Sequence, residues 1–353
     1  MKAWEKNVRR VTPYTPGEQP KESNIIKLNT NENPYPPAPL VLEKRFSVDA
    51  EGLRKYPDPT GDVLLQEIAA FYGLPVECVF AGVGSDDVLA IAFMTFFNSG
   101  VPILFPDITY SFYDVWAELF SIPYERPALD ADFRIVPQDY RRKNGGIVIA
   151  NPNAPTGVEL SLQEIEEILQ ANPDVITIVD EAYVDFGAQS ALPLIEKYDH
   201  LLVVQTTSKS RSLAGLRIGY AMGQAPLIKY LNDVKYSFNS YTLNQPSLLL
   251  GAASFKDREY FENTCRTIVE TREWTKAQMK ELGFSFEDSK ANFFFVTHES
   301  CSAQELFEAL KAEKIYVRHF NASRISNHLR ITIGTKSEMN TLLSFLRSYL
   351  QKK

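Results

Sequence analysis

The chain has 353 residues, 44% of them hydrophobic and 23% charged, with a formal net charge of −7. That length holds a large domain and a smaller one, and the composition excludes a disordered chain. The negative balance, with no local basic stripe, argues against nucleic acid or an anionic membrane surface as partner.

The proline-rich stretch 33–39 cannot be regular helix and reads as an extended arm. From about Lys55 to Gly223 short β-rich runs alternate with helical patterns, and strands are expected at 78–82, 101–105, 146–150, 175–180, 201–206 and 217–222. These runs are apolar throughout, which suits strands buried on both faces of a mainly parallel sheet. Ser161 and Glu164 form a capping-box pattern ahead of Leu162, Ile165, Ile168 and Leu169, which share one helix face. Past Gly251 a polar, helix-prone stretch, 257–282, precedes a second α/β unit. Its strands are expected at 293–296, 316–317 and 329–333, and its helices near 302–312 and 337–350, with another capping-box pattern at Ser302 and Glu305. The expected layout is a large α/β domain over residues 51–254 and a small one over 255–353, with residues 1–50 as an arm that also contributes to the small domain.

Cys78, Cys265 and Cys301 lack CxxC spacing, and the four histidines lack metal-ligand spacing, so neither disulfides nor a metal are expected. The opening MKAWEKNVRR has no apolar leader core, and the longest apolar run, 88–97, is too short to span a bilayer. A cytoplasmic protein is the expectation.

Open α/β sheets place their ligands at the C-terminal ends of their strands. There the first strand runs into Gly84-Ser85-Asp86-Asp87 and a helix, whose free N–H groups suit a phosphate, although such residues commonly serve only as a cap. No Walker or dinucleotide fingerprint is present. The third strand leads into Asn151-Pro152-Asn153-Ala154-Pro155-Thr156-Gly157, which is also ordinary turn material. The fourth ends in Asp180-Glu181-Ala182-Tyr183, and the fifth in Thr206-Thr207-Ser208-Lys209, with Arg217 following. Singly, an aspartate there is often a cap, and a Ser-Lys pair is a solvated loop.

In that order, with aromatic Tyr110 between, these landmarks resemble the fold-type I aminotransferases. The run Leu28-Asn29-Thr30-Asn31-Glu32-Asn33-Pro34-Tyr35, the Tyr56-Pro57-Asp58 turn and Leu329-Arg330-Ile331-Thr332-Ile333-Gly334 look most like the histidinol-phosphate aminotransferase family. The resemblance extends from Leu28 to the C-terminus. It implies pyridoxal 5′-phosphate as cofactor and a large domain with a mostly parallel seven-stranded sheet flanked by helices, beside a small α/β domain.

By position, the resemblance makes Lys209 the lysine that holds the cofactor as a Schiff base and then moves the substrate proton. Asp180 would pair with the pyridine nitrogen, Tyr183 would bond the phenolic oxygen, and Tyr110 would stack on the ring. An aromatic cluster of Tyr110, Phe112 and Tyr113 is the plainer reading of Tyr110. Gly84, Ser85, Asp86, Thr206, Ser208 and Arg217 would surround the phosphate, joined by Tyr56 of a neighbouring subunit in a homodimer. Where many relatives carry Asn before Pro-Thr-Gly this chain has Ala154, so either Asn153 supplies that amide or Tyr183 acts alone.

Arg330, Arg318, Asn292, Tyr14 and Tyr35 are the candidate substrate residues, although exposed arginines commonly pair with solvent or local carboxylates. The leading reading is transamination between histidinol phosphate and the glutamate/2-oxoglutarate pair. A threonine-phosphate decarboxylase or another aminotransferase shares the scaffold. A cofactor-binding regulator normally carries a DNA-binding module, for which the residues before Leu28 are too few.

Overall fold

The structure, a computed structural model, describes residues 2–47 and 49–352. The N-terminal arm contributes a short strand, β1 (Ile26–Lys27), and a short helix, α1 (Pro39–Lys44). Pro39 sits in the first helical turn, where a missing N–H is not needed, so the extended stretch ends at Ala38.

The central sheet contains β2 (Val79–Gly82), β3 (Ile103–Leu104), β4 (Tyr124–Glu125) and β5 (Ile147–Ala150). It is completed by β6 (Thr177–Asp180), β7 (Leu201–Thr206) and β8 (Gly219–Met222). The order across this seven-stranded sheet is β2-β8-β7-β6-β5-β3-β4. The run from β7 to β4 is parallel, and β8 is antiparallel to both its neighbours. All six strands expected here are present, with 201–206 at the same bounds and the others shorter. The two-residue edge strand β4 carries too little pattern to be anticipated.

Helices α2 (Asp62–Tyr72), α3 (Ser85–Phe96), α4 (Phe112–Phe120) and α5 (Leu162–Ala171) cover the sheet, together with α6 (Ala225–Phe238) and α7 (Gln245–Lys256). Alternation along β5 divides the core. Ile147 and Ile149 pack with Leu64 of α2 and Ile165 of α5, whereas Val148 and Ala150 pack with Leu89 of α3 and Tyr113 of α4. The Ser161 capping box forms, with Ser161 N–H donating to Glu164 Oε2 at 2.9 Å and Glu164 N–H to Ser161 Oγ at 3.3 Å.

After the long helix α8 (Arg258–Glu281) come β9 (Phe284–Phe286), β10 (Phe293–His298), α9 (Ala303–Ala312) and β11 (Ile315–Tyr316). They are followed by β12 (Arg318–His319), β13 (Leu329–Thr332) and α10 (Lys336–Leu350). An antiparallel sheet is ordered β12-β13-β10-β9, and β11 pairs instead with β1. The strand expected at 316–317 is thus two strands meeting at Val317. Leu28 of the arm packs into the same core as Phe294, Ile331 and Leu342. Among the described residues no helix is long and apolar enough to cross a membrane.

Candidate active site

The C-terminal ends of β5, β6 and β7 open onto a cavity of about 320 Å³, lined also by the arm and by the small sheet. Lys209, Asp180, Tyr183, Tyr110, Thr206 and Ser208 line it. Ser85, Asp86, Arg217, Tyr14, Arg318 and Arg330 complete the set of expected residues found there.

Asp180 ends β6 and is buried. Its Oδ2 accepts from the Tyr113 hydroxyl at 2.8 Å, and its Oδ1 from the Ala182 N–H at 3.2 Å. Burial pushes its carboxyl up to about 6, while both hydrogen bonds pull the other way. Tyr113 belongs to the aromatic cluster of α3 and α4, but its hydroxyl gives it a second role that the sequence did not reveal.

On the neighbouring strand ends, Thr206 Oγ1 lies 2.9 Å from Ser208 Oγ. Helix α3 starts on Gly84 without a side-chain cap, so its first N–H groups, at Ser85 and Asp86, are open to an anion. Arg217 donates to Asp86 Oδ2 at 3.2 Å, and the Tyr110 hydroxyl donates to Asp86 Oδ1 at 2.8 Å. Two glycines permit this closeness. A Cβ on Gly219 would lie 2.2 Å from the Gly84 and Ser85 backbone, and one on Gly84 would meet the Arg217 guanidinium at 2.5 Å.

The arm crosses the lysine. Lys209 Nζ donates to the Thr30 carbonyl at 3.3 Å and lies 5.7 Å from the Tyr183 ring centroid. Asn33 Nδ2 donates to the Lys209 carbonyl at 3.0 Å, and Asn31 Nδ2 to the Tyr183 hydroxyl at 2.9 Å. These amides sit in the Leu28–Tyr35 run, but nothing in its spacing tells where it lands.

The antiparallel register places Arg318 of β12 opposite Arg330 of β13. Arg330 donates to the Asn29 carbonyl at 2.8 Å, while its Nε has no partner. Among the described residues no carboxylate lies within ion-pair distance of either arginine. Burial pulls the Arg330 guanidinium below its ordinary value, and the Arg318 charge acts in the same direction. Two guanidinium groups lining one cavity without a carboxylate could hold an anion there. Tyr14 reaches the cavity rim, stacked on Phe112 at 4.3 Å.

Of the other five expected residues, Gly84 stands just outside the lining as the N-cap of α3, and four lie elsewhere. The Asn153 amide is satisfied within its own loop, donating to the Ile108 carbonyl at 2.9 Å and Thr156 Oγ1 at 3.0 Å and accepting from Thr109 at 2.8 Å. It is Ala154 that faces the cavity. Tyr35 packs against the small-sheet core. Asn292 is buried behind the cavity, its Nδ2 donating to the Asn31 carbonyl at 3.0 Å. Tyr56 is 82% exposed, stacked on Tyr241.

The model of the aminotransferase class I and II family matches residues 23–346. The chain belongs to that family. This aminotransferase is 51% identical over 350 residues to the histidinol-phosphate aminotransferase of Lactococcus lactis, covering 99% of this chain and 97% of the relative. It is also 51% identical over 353 residues to the histidinol-phosphate aminotransferase of Acinetobacter baylyi, covering 99% and 98%. Among solved structures, the histidinol-phosphate aminotransferase of Clostridium acetobutylicum superposes with a TM-score of 0.86 at 20% identity, over 93% of this chain and 100% of the other. That of Sinorhizobium meliloti, a complex with pyridoxal 5′-phosphate, gives 0.84 at 22% identity, over 93% and 91%. These two likenesses establish the fold.

The family depends on pyridoxal 5′-phosphate, and the aminotransferase therefore takes that cofactor. The donor set fits it part by part. There is a primary amine for its aldehyde, a buried carboxyl for its ring nitrogen, and a phenol for its phenolic oxygen. A guanidinium, two hydroxyls and an open helix N-terminus suit its phosphate.

Proposed function

We propose that this aminotransferase moves the amino group of L-histidinol phosphate to 2-oxoglutarate in histidine biosynthesis, giving imidazole-acetol phosphate and glutamate, as a cytoplasmic homodimer. The observation that carries the substrate reading is the pair Arg318 and Arg330, without carboxylate partners, in the cavity that Lys209 also lines. The names of the relatives at about half identity support the same substrate.

When bound, pyridoxal 5′-phosphate supplies the carbonyl that receives the amino group and the electron sink for charge left at the substrate carbon. Lys209 Nζ is the base that takes and returns the proton at that carbon. Asp180, held by Tyr113, sets a carboxyl group against the ring nitrogen, and Tyr183 donates to the phenolic oxygen. Arg217, Thr206, Ser208 and the Ser85 and Asp86 N–H groups grip the cofactor phosphate, where a planar guanidinium can engage two oxygens. Arg318 and Arg330 take the phosphate monoester of one substrate and the side-chain carboxylate of the other in turn, so one pocket serves both half-reactions. Tyr56, exposed on its own chain, reaches the phosphate site of the partner.

The decisive experiment adds glutamate, then histidinol phosphate's keto product, to the loaded enzyme and follows the cofactor absorbance. Interconversion of the amine and aldehyde forms with both substrates is expected, and Lys209→Ala should lose it. Release of carbon dioxide from a phosphorylated amino acid, without the glutamate half-reaction, would overturn the reading in favour of a decarboxylase.

A further inference from the structure

We propose that Asn31 is a positioning residue that fixes the Tyr183 phenol as a proton donor into the cavity. Asn31 is buried in the arm, with its backbone at φ 57°, a left-handed conformation that asparagine tolerates. Its amide orientation is set by its neighbours. Thr332 Oγ1 accepts from the Asn31 N–H at 3.1 Å, so its own proton is free for Asn31 Oδ1, 3.0 Å away. The oxygen end therefore faces Thr332 and the nitrogen end faces Tyr183, to whose oxygen Nδ2 donates at 2.9 Å. Asn292 Nδ2 pins the Asn31 carbonyl from the other side at 3.0 Å.

A phenol that accepts one hydrogen bond from an amide must send its own proton elsewhere. Among the described residues Tyr183 has no acceptor for that proton, and its side chain lines the cavity. Accepting from Asn31 also polarises the phenol and strengthens it as a donor. Small-sheet Thr332 thus determines, through Asn31, which way a hydroxyl beside β6 points.

The inference rests on the cofactor reading above, and a double-mutant cycle separates the two. The cofactor-free forms of the wild type, Asn31→Gly, Tyr183→Phe and the double variant are titrated with pyridoxal 5′-phosphate. Dissociation constants and the pH midpoint of the bound-cofactor absorbance are recorded. Glycine is chosen because it adopts the left-handed backbone without strain. Asn31→Gly should weaken binding about fivefold, the worth of one hydrogen bond, and shift the midpoint. In the Tyr183→Phe background it should change neither by more than about twofold. Thr332→Val, which keeps the amide but frees its orientation, should shift the midpoint in the same direction, and serves if the glycine variant fails to fold. Equal losses in both backgrounds, or no midpoint shift in either variant, would overturn the inference alone. A wild type that does not bind the cofactor would overturn the reading beneath it.

Discussion

A carboxyl group as deeply buried as Asp180 favours its neutral form, and the hydroxyl of Tyr113 opposes that preference. Tyr113→Phe should leave burial less opposed and move the acid limb of the kcat–pH profile upward. A fall in kcat of about tenfold is expected for a bond to a charged acceptor. An unmoved acid limb would remove Tyr113 from the mechanism. The same carboxyl affects stability. Its value of about 6 in the cofactor-free fold lies above the ordinary 3.8, so its contribution is fully present below about pH 4 and is lost as pH rises through 6. Asp180→Asn should therefore stabilise the cofactor-free protein at pH 8, on the order of 2–3 kcal/mol at most, and much less at pH 4. Thermal unfolding of both proteins across that range checks it, and a difference independent of pH would contradict it. Lys209, Asp180 and Arg217 were legible in the sequence as residues of one cavity because the order of their motifs carries the family resemblance, from which the roles proposed for them also come. Tyr113 and Asn31 were not, since their partners stand 67 and 152 positions away and are chosen by packing.

At the level of elements, apolar runs located the buried strands of the large sheet, because burial on both faces leaves no polar alternation to misread. Short edge strands such as β4 and β9 carry two or three residues and no such signal. Register was beyond reach as well. That Arg318 faces Arg330 follows from a turn geometry between β12 and β13 that composition does not encode. The pairing predicts a shared defect. Arg318→Ala and Arg330→Ala should each raise KM for histidinol phosphate and for glutamate, by about tenfold or more for a charge-assisted contact. The dissociation constant for the cofactor should stay within about twofold. Steady-state kinetics beside cofactor titration decides, and equal damage to both constants would place these arginines outside the substrate pocket.

For the whole molecule, the proposed homodimer makes a prediction by mixing. If Tyr56 serves the partner's phosphate site, a dimer of one Lys209→Ala chain and one Tyr56→Ala chain contains one intact site and one with both lesions. At a cofactor concentration that leaves Tyr56→Ala mostly empty, adding the inactive Lys209→Ala protein under exchange conditions should raise total activity. No increase, despite demonstrated chain exchange, would assign Tyr56 to its own subunit. Within one chain, closure is just as distributed, since the Asn31–Thr332 bonds span 301 positions. This bears on how the protein is made. At roughly 5–20 residues per second, the ribosome releases Lys209 several seconds before β13 exists. A nascent or prematurely terminated chain that stops short of β12 carries the amine without the arginine pair or the Thr332 anchor. Incomplete translation products of that kind would carry the amine proposed here for the chemistry without the arginines proposed for selectivity, so reactivity and substrate recognition would be separated in time as the chain is made.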